Sequence, residues 1–305
     1  MKKYTVGADV GGSHITCAIF DLEKQELLLD TMKTSPVDCH ASADEILTKW
    51  ATAITEAAET VGIGQVNGAA FAMPGPFDYK TGVALFDNSN KKFENLFEVN
   101  VSEELQKRVP IQDAKFRFMN DATAFASGEV WIGAAKGSSN CVAITLGTGF
   151  GSAFLLNGIP IEQGDTVPDQ GCCYHLAYKD GIADDYFSTR GFVNRWKELT
   201  GETIEGAKCI VDKIDTDARA KQVFEDFGAE LADLMAPWLK NFSADTIVLG
   251  GNISKAFKLF EPALSKQLQA NGAEVKVVLS KLGETSAVSG CCRLMDDEYY
   301  ELFLA

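Results

Sequence analysis

Two short glycine turns, each set between apolar strands, carry the residues with the clearest chemical use. The first is Asp9-Val10-Gly11-Gly12-Ser13, inside the apolar pattern of residues 6–20. The second is Gly147-Thr148-Gly149, inside residues 142–156, at an offset of 136 residues from the first. Glycines let backbone N–H groups come close to an anion, and turns of this kind form concave nests for phosphate. Asp9, at a strand end, can hold Mg²⁺ directly or through water. A plain hairpin explains either turn alone, but the echo favours a pair of cradles facing each other across two domains and gripping one polyphosphate. That points to a nucleotide-dependent enzyme. The chain has no G-x-x-x-x-G-K-[ST] loop. A hairpin rather than a helix follows the glycines, which argues against a dinucleotide fingerprint.

Three further groups have the right chemistry. Asn120-Asp121 follows the strand pattern of residues 115–119 and precedes a helical one. A carboxylate there can accept a proton from a substrate hydroxyl, with the amide orienting the substrate; the same dipeptide also reads as a helix N-cap. Gly250-Gly251-Asn252 closes one strand and opens a helix, which suits flat contact with a base or phosphate and equally suits a tight β–α turn. His175, with Asp184 and Asp185 close by in the chain, offers polar groups that could reach a sugar.

The elements that must position these residues come in two similar sets. Residues 4–20 read as a hairpin and 26–34 as a further strand. Residues 43–61 repeat apolar side chains at helical spacing, and 65–73 is a short strand stopped by Pro74-Gly75-Pro76. The second half repeats this plan: a hairpin and strand over 140–162, a long amphipathic helix marked by Phe224 to Trp238, strands at 245–249 and 274–279, a helix over 254–270, and a terminal helix over 285–303. The expected fold class is α/β, two duplicated lobes with a cleft between them. The lobes are placed at 1–115 and 116–305, with an insertion at 163–215 over the cleft and the terminal helix packing back on the first lobe. Tyr186, Phe187, Phe192 and Trp196 within the insertion read either as an apolar patch or as core.

Composition removes other classes. At 305 residues the chain can build two cores. A formal net charge of −15, with no basic cluster, argues against nucleic acid as a partner. No stretch approaches the roughly 18 consecutive apolar residues of a membrane span. The start, Met1-Lys2-Lys3-Tyr4, has no apolar leader, so the cytoplasm is the expected compartment. The eight cysteines include no Cys-x-x-Cys, and reduced thiols are expected rather than disulfides or an iron–sulfur site.

Taken in order, Asp9-Val10-Gly11-Gly12-Ser13, Met73-Pro74-Gly75-Pro76, Asn120-Asp121-Ala122-Thr123-Ala124 with Gly128-Glu129, Thr145-Leu146-Gly147-Thr148-Gly149 and Ile247-Val248-Leu249-Gly250-Gly251 resemble the ROK family of sugar kinases and regulators, within the actin-like ATPase and sugar kinase superfamily (ribonuclease H-like lobes). The resemblance implies phosphoryl transfer from ATP, with Mg²⁺, to a hydroxyl of a hexose or N-acetylhexosamine. It implies Asp121 as catalytic base and Asn120 as a sugar ligand. Pro74, Gly75, Asn88 or Asn90, His175 and Asp184 would line the sugar pocket. Gly11, Gly12, Ser13, Gly147, Thr148 and Gly149 would hold phosphates, Asp9 would stand near Mg²⁺, and Gly250, Gly251 and Asn252 would border the adenosine. The first lobe would then take sugar and phosphate and the second the nucleotide, and a homodimer is implied.

The chain departs from the family around residue 175. The family's zinc cysteines are missing after His175, so no structural zinc is expected. The family's Glu-x-Gly-His is matched by Cys172-Cys173-Tyr174-His175, which loses the Glu, and Asp184 falls where the Glu after the zinc cysteines would stand. His14 occupies a position where the family often has Lys. The alternative is a sugar-sensing ROK protein without catalysis, or a regulator lacking a DNA-binding domain.

Overall fold

The computed structural model describes residues 2–87 and 91–305. The chain forms two compact units, residues 1–128 with 284–305, and residues 129–283. The expected division after residue 115 falls inside the first of them.

The first unit opens with β1 (Tyr4–Val10), β2 (His14–Asp21) and β3 (Glu26–Pro36), joined antiparallel in register Asp9↔Thr16 and His14↔Pro36. Then come α1 (Ala43–Glu59), β4 (Val66–Met73), a small hairpin of β5 (Phe77–Asp78) and β6 (Val83–Ala84), α2 (Val101–Arg108) and β7 (Lys115–Asn120), followed by α3 (Asp121–Trp131). The sheet order is β3-β2-β1-β4-β7, with β1, β4 and β7 parallel. α1 forms because Ser42 and Glu45 make a capping box, and its stripe of Ile46, Leu47, Trp50, Ile54 and Ala57 is buried in the unit's core.

The second unit holds β8 (Asn140–Leu146), β9 (Phe150–Leu156) and β10 (Ile159–Pro160), then β11 (Ala177–Tyr178), β12 (Gly181–Ile182), α4 (Ala183–Phe187), α5 (Thr189–Thr200), α6 (Ala207–Val211) and α7 (Ala218–Asn241). β13 (Thr246–Gly250), α8 (Phe257–Ala270) and β14 (Lys276–Leu279) complete it. Its sheet order, β10-β9-β8-β13-β14, has a hairpin followed by parallel strands, the same plan as the first unit. The duplication read from the turns is therefore a duplication of sheet topology. The aromatics of residues 186–196 belong to this unit: Phe187, Phe192 and Trp196 are buried, and Phe192 lies 4.6 Å from Phe227 of α7, ring to ring.

The C-terminal segment differs from the single helix expected over 285–303. It is α9 (Ser286–Cys291), a 3₁₀ turn over Cys292–Met295, and α10 (Asp297–Leu304). Asp296 is the break. Its backbone is extended (φ −74°, ψ 116°), and its carboxylate accepts the N–H groups of Glu298 and Tyr299, so it ends one helix and caps the next. α10 is fastened to β7 by Asp297, which accepts from Lys115 (2.8 Å) and Arg117 (2.6 Å), and by the Arg117 guanidinium 3.8 Å over the Tyr300 ring. No helix among the described residues is long and apolar enough to cross a membrane.

Candidate active site

In the first unit the candidate residues gather at the carboxyl ends of the parallel strands, where α/β sheets present their ligands. Register places Asp9 of β1 beside Ala72 of β4, Ala72 beside Met119 of β7, and Met73 beside Asn120. The turn after β1 is closed by Gly11 N–H donating to His14 O (2.9 Å) and anchored by Val37 N–H donating to Ser13 O (2.9 Å). The hydroxyl of Ser13 meets His14 Nδ1 at 3.1 Å. Among the described residues a Cβ on Gly12 would have no neighbour within 4 Å, and the backbone there does not need positive φ. The packing of the described residues does not demand glycine at that point, whereas a ligand lying on the backbone would.

Asn120 caps α3: its Oδ1 accepts from Ala122 N (2.9 Å) and Thr123 N (3.3 Å). That fixes the amide so that Nδ2 points away from the helix, donating to the Tyr79 hydroxyl (3.3 Å), which in turn donates to Met73 O (3.2 Å). Tyr79 was not among the sequence candidates. Its hydroxyl lies close to Gly75, 3.4 Å from where a Cβ would stand, so it joins the Pro74-Gly75 segment to Asn120. Asp121 is the first residue of α3 and accepts from Ala122 N (2.8 Å). Although Asp121 presents surface to solvent, its carboxyl is held above the usual carboxylate range: desolvation outweighs the Ala122 N–H, the attraction of Lys92 and a hydrogen bond to Asn120. Asp9 is pushed up to about 7, first by desolvation and then by repulsion from Asp121. Two hard oxygen donors that repel each other suit a small divalent cation, whose charge would offset that repulsion.

The second unit repeats the geometry with other residues. Thr145 of β8 pairs with Gly250 of β13, so the turns Gly147-Thr148-Gly149 and Gly250-Gly251-Asn252 leave adjacent strand ends. Among the described residues nothing lies within 4 Å of where a Cβ on Gly147 would be. Gly251 differs, because its φ of +81° and its approach to the backbone of Leu146 exclude any side chain. Asn252 accepts from Lys255 Nζ at 2.7 Å. Asp184 lies against the first of these turns: its Oδ1 accepts from Phe150 N (2.7 Å) and its Oδ2 from Arg190 (2.6 Å). Thr189 donates through both its N–H (2.8 Å) and its hydroxyl (2.9 Å) to Gly147 O. His175 is partly buried, packed edge-on against Tyr174, whose carbonyl accepts from Asp184 N (3.0 Å).

Each unit thus brings together its own expected set: Asp9, Gly11, Gly12, Ser13, Pro74, Gly75, Asn120 and Asp121 in the first; Gly147, Thr148, Gly149, His175, Asp184, Gly250, Gly251 and Asn252 in the second. Asn88 and Asn90 lie outside the described residues. Among the described residues no three His, Cys, Asp or Glu side chains gather as a metal site, and all eight cysteines are free thiols. Thr189 and Arg190, like Tyr79, carried no motif signal; they matter only because folding carries them to a turn some forty residues away.

The architecture defines a duplicated α/β protein: each half has a glycine turn between the first two strands of its sheet hairpin, and the second half adds a strand-end glycine pair, Gly250-Gly251, where the first has Pro74-Gly75. A family model described as ROK family matches residues 5–298, and the chain belongs to that family. It is 26% identical to an N-acetyl-D-glucosamine kinase of Haemophilus influenzae, over 94% of this chain and 98% of that one. It is also 26% identical to a glucokinase of Thermotoga maritima, over 97% and 98% of the two chains. In fold it is similar to a ROK family glucokinase from Streptomyces griseus solved with glucose and AMPPNP (TM-score 0.73, 22% identity, 95% of this chain and 98% of that one).

Proposed function

We propose that this protein transfers the terminal phosphoryl group of ATP to a hydroxyl of a hexose or N-acetylhexosamine. The observation that carries the reading is Asp121: a carboxylate at a helix start, on the carboxyl edge of the sheet, with a raised proton affinity and an oriented Asn120 beside it. As the acceptor oxygen bonds to phosphorus and the bond to the ADP oxygen breaks, Asp121 takes the hydroxyl proton, which later passes to solvent. Asn120, Pro74, Gly75, His175 and an Asn at 88 or 90 would orient the sugar. The N–H groups of Gly12 and Ser13 and of Thr148 and Gly149 would hold phosphate oxygens, the turns being closed by the amides of Gly11 and Gly147, with Gly250-Gly251-Asn252 beside the adenosine. Asp9 would hold Mg²⁺, which when bound neutralises phosphate charge. The names of the relatives from Haemophilus influenzae and Thermotoga maritima support a sugar acceptor.

An ADP-release assay over a panel of hexoses and N-acetylhexosamines tests the reading. One sugar should release ADP in step with its own phosphorylation, and Asp121→Asn should lower kcat roughly 10²- to 10⁴-fold with the fold intact. Folded protein with Mg²⁺ that releases no sugar-dependent ADP would refute it. Cys172, in place of the family's pocket Glu, favours a second reading as a sugar-binding protein without turnover; calorimetric binding of a sugar in the absence of any ADP release would establish that alternative.

A further inference from the structure

We propose that Asp184 and Arg190 are a positioning pair for the Gly147-Thr148-Gly149 turn, so that Asp184 serves the nucleotide and not the sugar. The proposal rests on the phosphoryl-transfer reading above and assigns one of its residues to the opposite substrate. Both carboxylate oxygens of Asp184 are engaged. Oδ1 accepts from Phe150 N at 2.7 Å, the amide that ends the turn, and Oδ2 accepts from Arg190 Nη2 at 2.6 Å. The carboxylate lies directly on the turn, because a Cβ at Gly149 would come within 3.3 Å of Oδ1. Arg190 is held from a second side by Asp185 at 3.3 Å. At the other end of the turn, Thr189 places two donors on Gly147 O. Residues 184–190 therefore grip the turn at its first carbonyl and at the amide that follows its last glycine.

A turn with two glycines in three residues has wide conformational freedom. If its N–H groups are to meet phosphate oxygens, something must hold them in one arrangement before the ligand arrives. The two end contacts do so. The Asp184–Arg190 ion pair adds little to stability, since it is partly solvated (side chains 22% and 53% exposed) and such pairs are worth little. The effect of the end contacts belongs to the order of the turn, and so to nucleotide affinity.

The test uses the full chain and the variants Asp184→Asn, Arg190→Ala and Arg190→Lys. Calorimetry gives the Kd for AMPPNP with Mg²⁺, and steady-state assays give KM for ATP and for the sugar turned over. Thermal midpoints confirm folding, and the Arg190 variants carry the test if Asp184→Asn does not fold. The expected result is an AMPPNP Kd and ATP KM raised about tenfold or more in Asp184→Asn and Arg190→Ala. The sugar KM should stay within about twofold, and Arg190→Lys should recover part of the loss because it keeps the charge opposite Asp184. A sugar KM raised tenfold with AMPPNP binding unchanged overturns the proposal and returns Asp184 to the acceptor; unchanged values for both substrates overturn it too. Wild-type protein that binds no AMPPNP overturns the phosphoryl-transfer reading itself and this assignment with it.

Discussion

Single residues show the tension between the site and the stability of the fold. Asp9 and Asp121 are like charges, one half-buried and one at the surface, and partial desolvation of their carboxyl groups raises the proton affinity of both. A raised carboxylate pKa means that the native state binds protons more tightly than the unfolded chain. Asp9 therefore costs nothing below its ordinary pKa near 4, and its destabilising effect grows as pH rises towards about 7. Asp9→Asn removes that charge. In metal-free buffer the variant should be more stable than wild type to urea at pH 8, and the difference should vanish at pH 4. A difference that is the same at both pH values would show that repulsion and desolvation at Asp9 are not its source. Asp121 was legible as a chemical group in the sequence because it follows a strand and opens a helix. Tyr79 was not, because its link to Asn120 spans 41 residues and depends on how the β5–β6 hairpin folds back over the strand ends.

Elements show why residues 163–215 are more than a surface insertion. Their aromatic side chains complete the second unit's core: Phe192 is almost fully buried between Phe224 (5.1 Å) and Phe227 (4.6 Å). Phe192→Ala should cost about 3–5 kcal/mol, read as a lower urea midpoint with an unchanged slope. A loss under about 1 kcal/mol would mean that the site collapses around the cavity or that the packing is loose. The alternative left open by composition, patch or core, is decided here by α7, whose apolar face supplies the partners. The terminal helix was misread for a different reason. Apolar spacing over 285–303 continues through Asp296, and only the capping geometry at that residue shows that the chain breaks there.

The whole molecule is a strongly acidic chain of two units with one sheet plan, and ligand binding should register on its stability. A sugar substrate and AMPPNP with Mg²⁺, each at about a hundred times its Kd, should each add about 2.7 kcal/mol and raise the thermal midpoint, while sugars that support no ADP release should not. A sugar that is turned over but leaves the midpoint unmoved at that concentration would contradict this. The sequence by itself determined the duplicated strand pattern, the two glycine turns and the acid at the start of α3, because periodicity, turn chemistry and capping are local and are written in neighbouring residues. Tertiary structure alone decided that a tyrosine holds Asn120 and that Asp184 lies on a turn 34 residues before it. Those pairings join residues far apart in the chain, and only the packing of each unit brings their side chains within hydrogen-bonding distance.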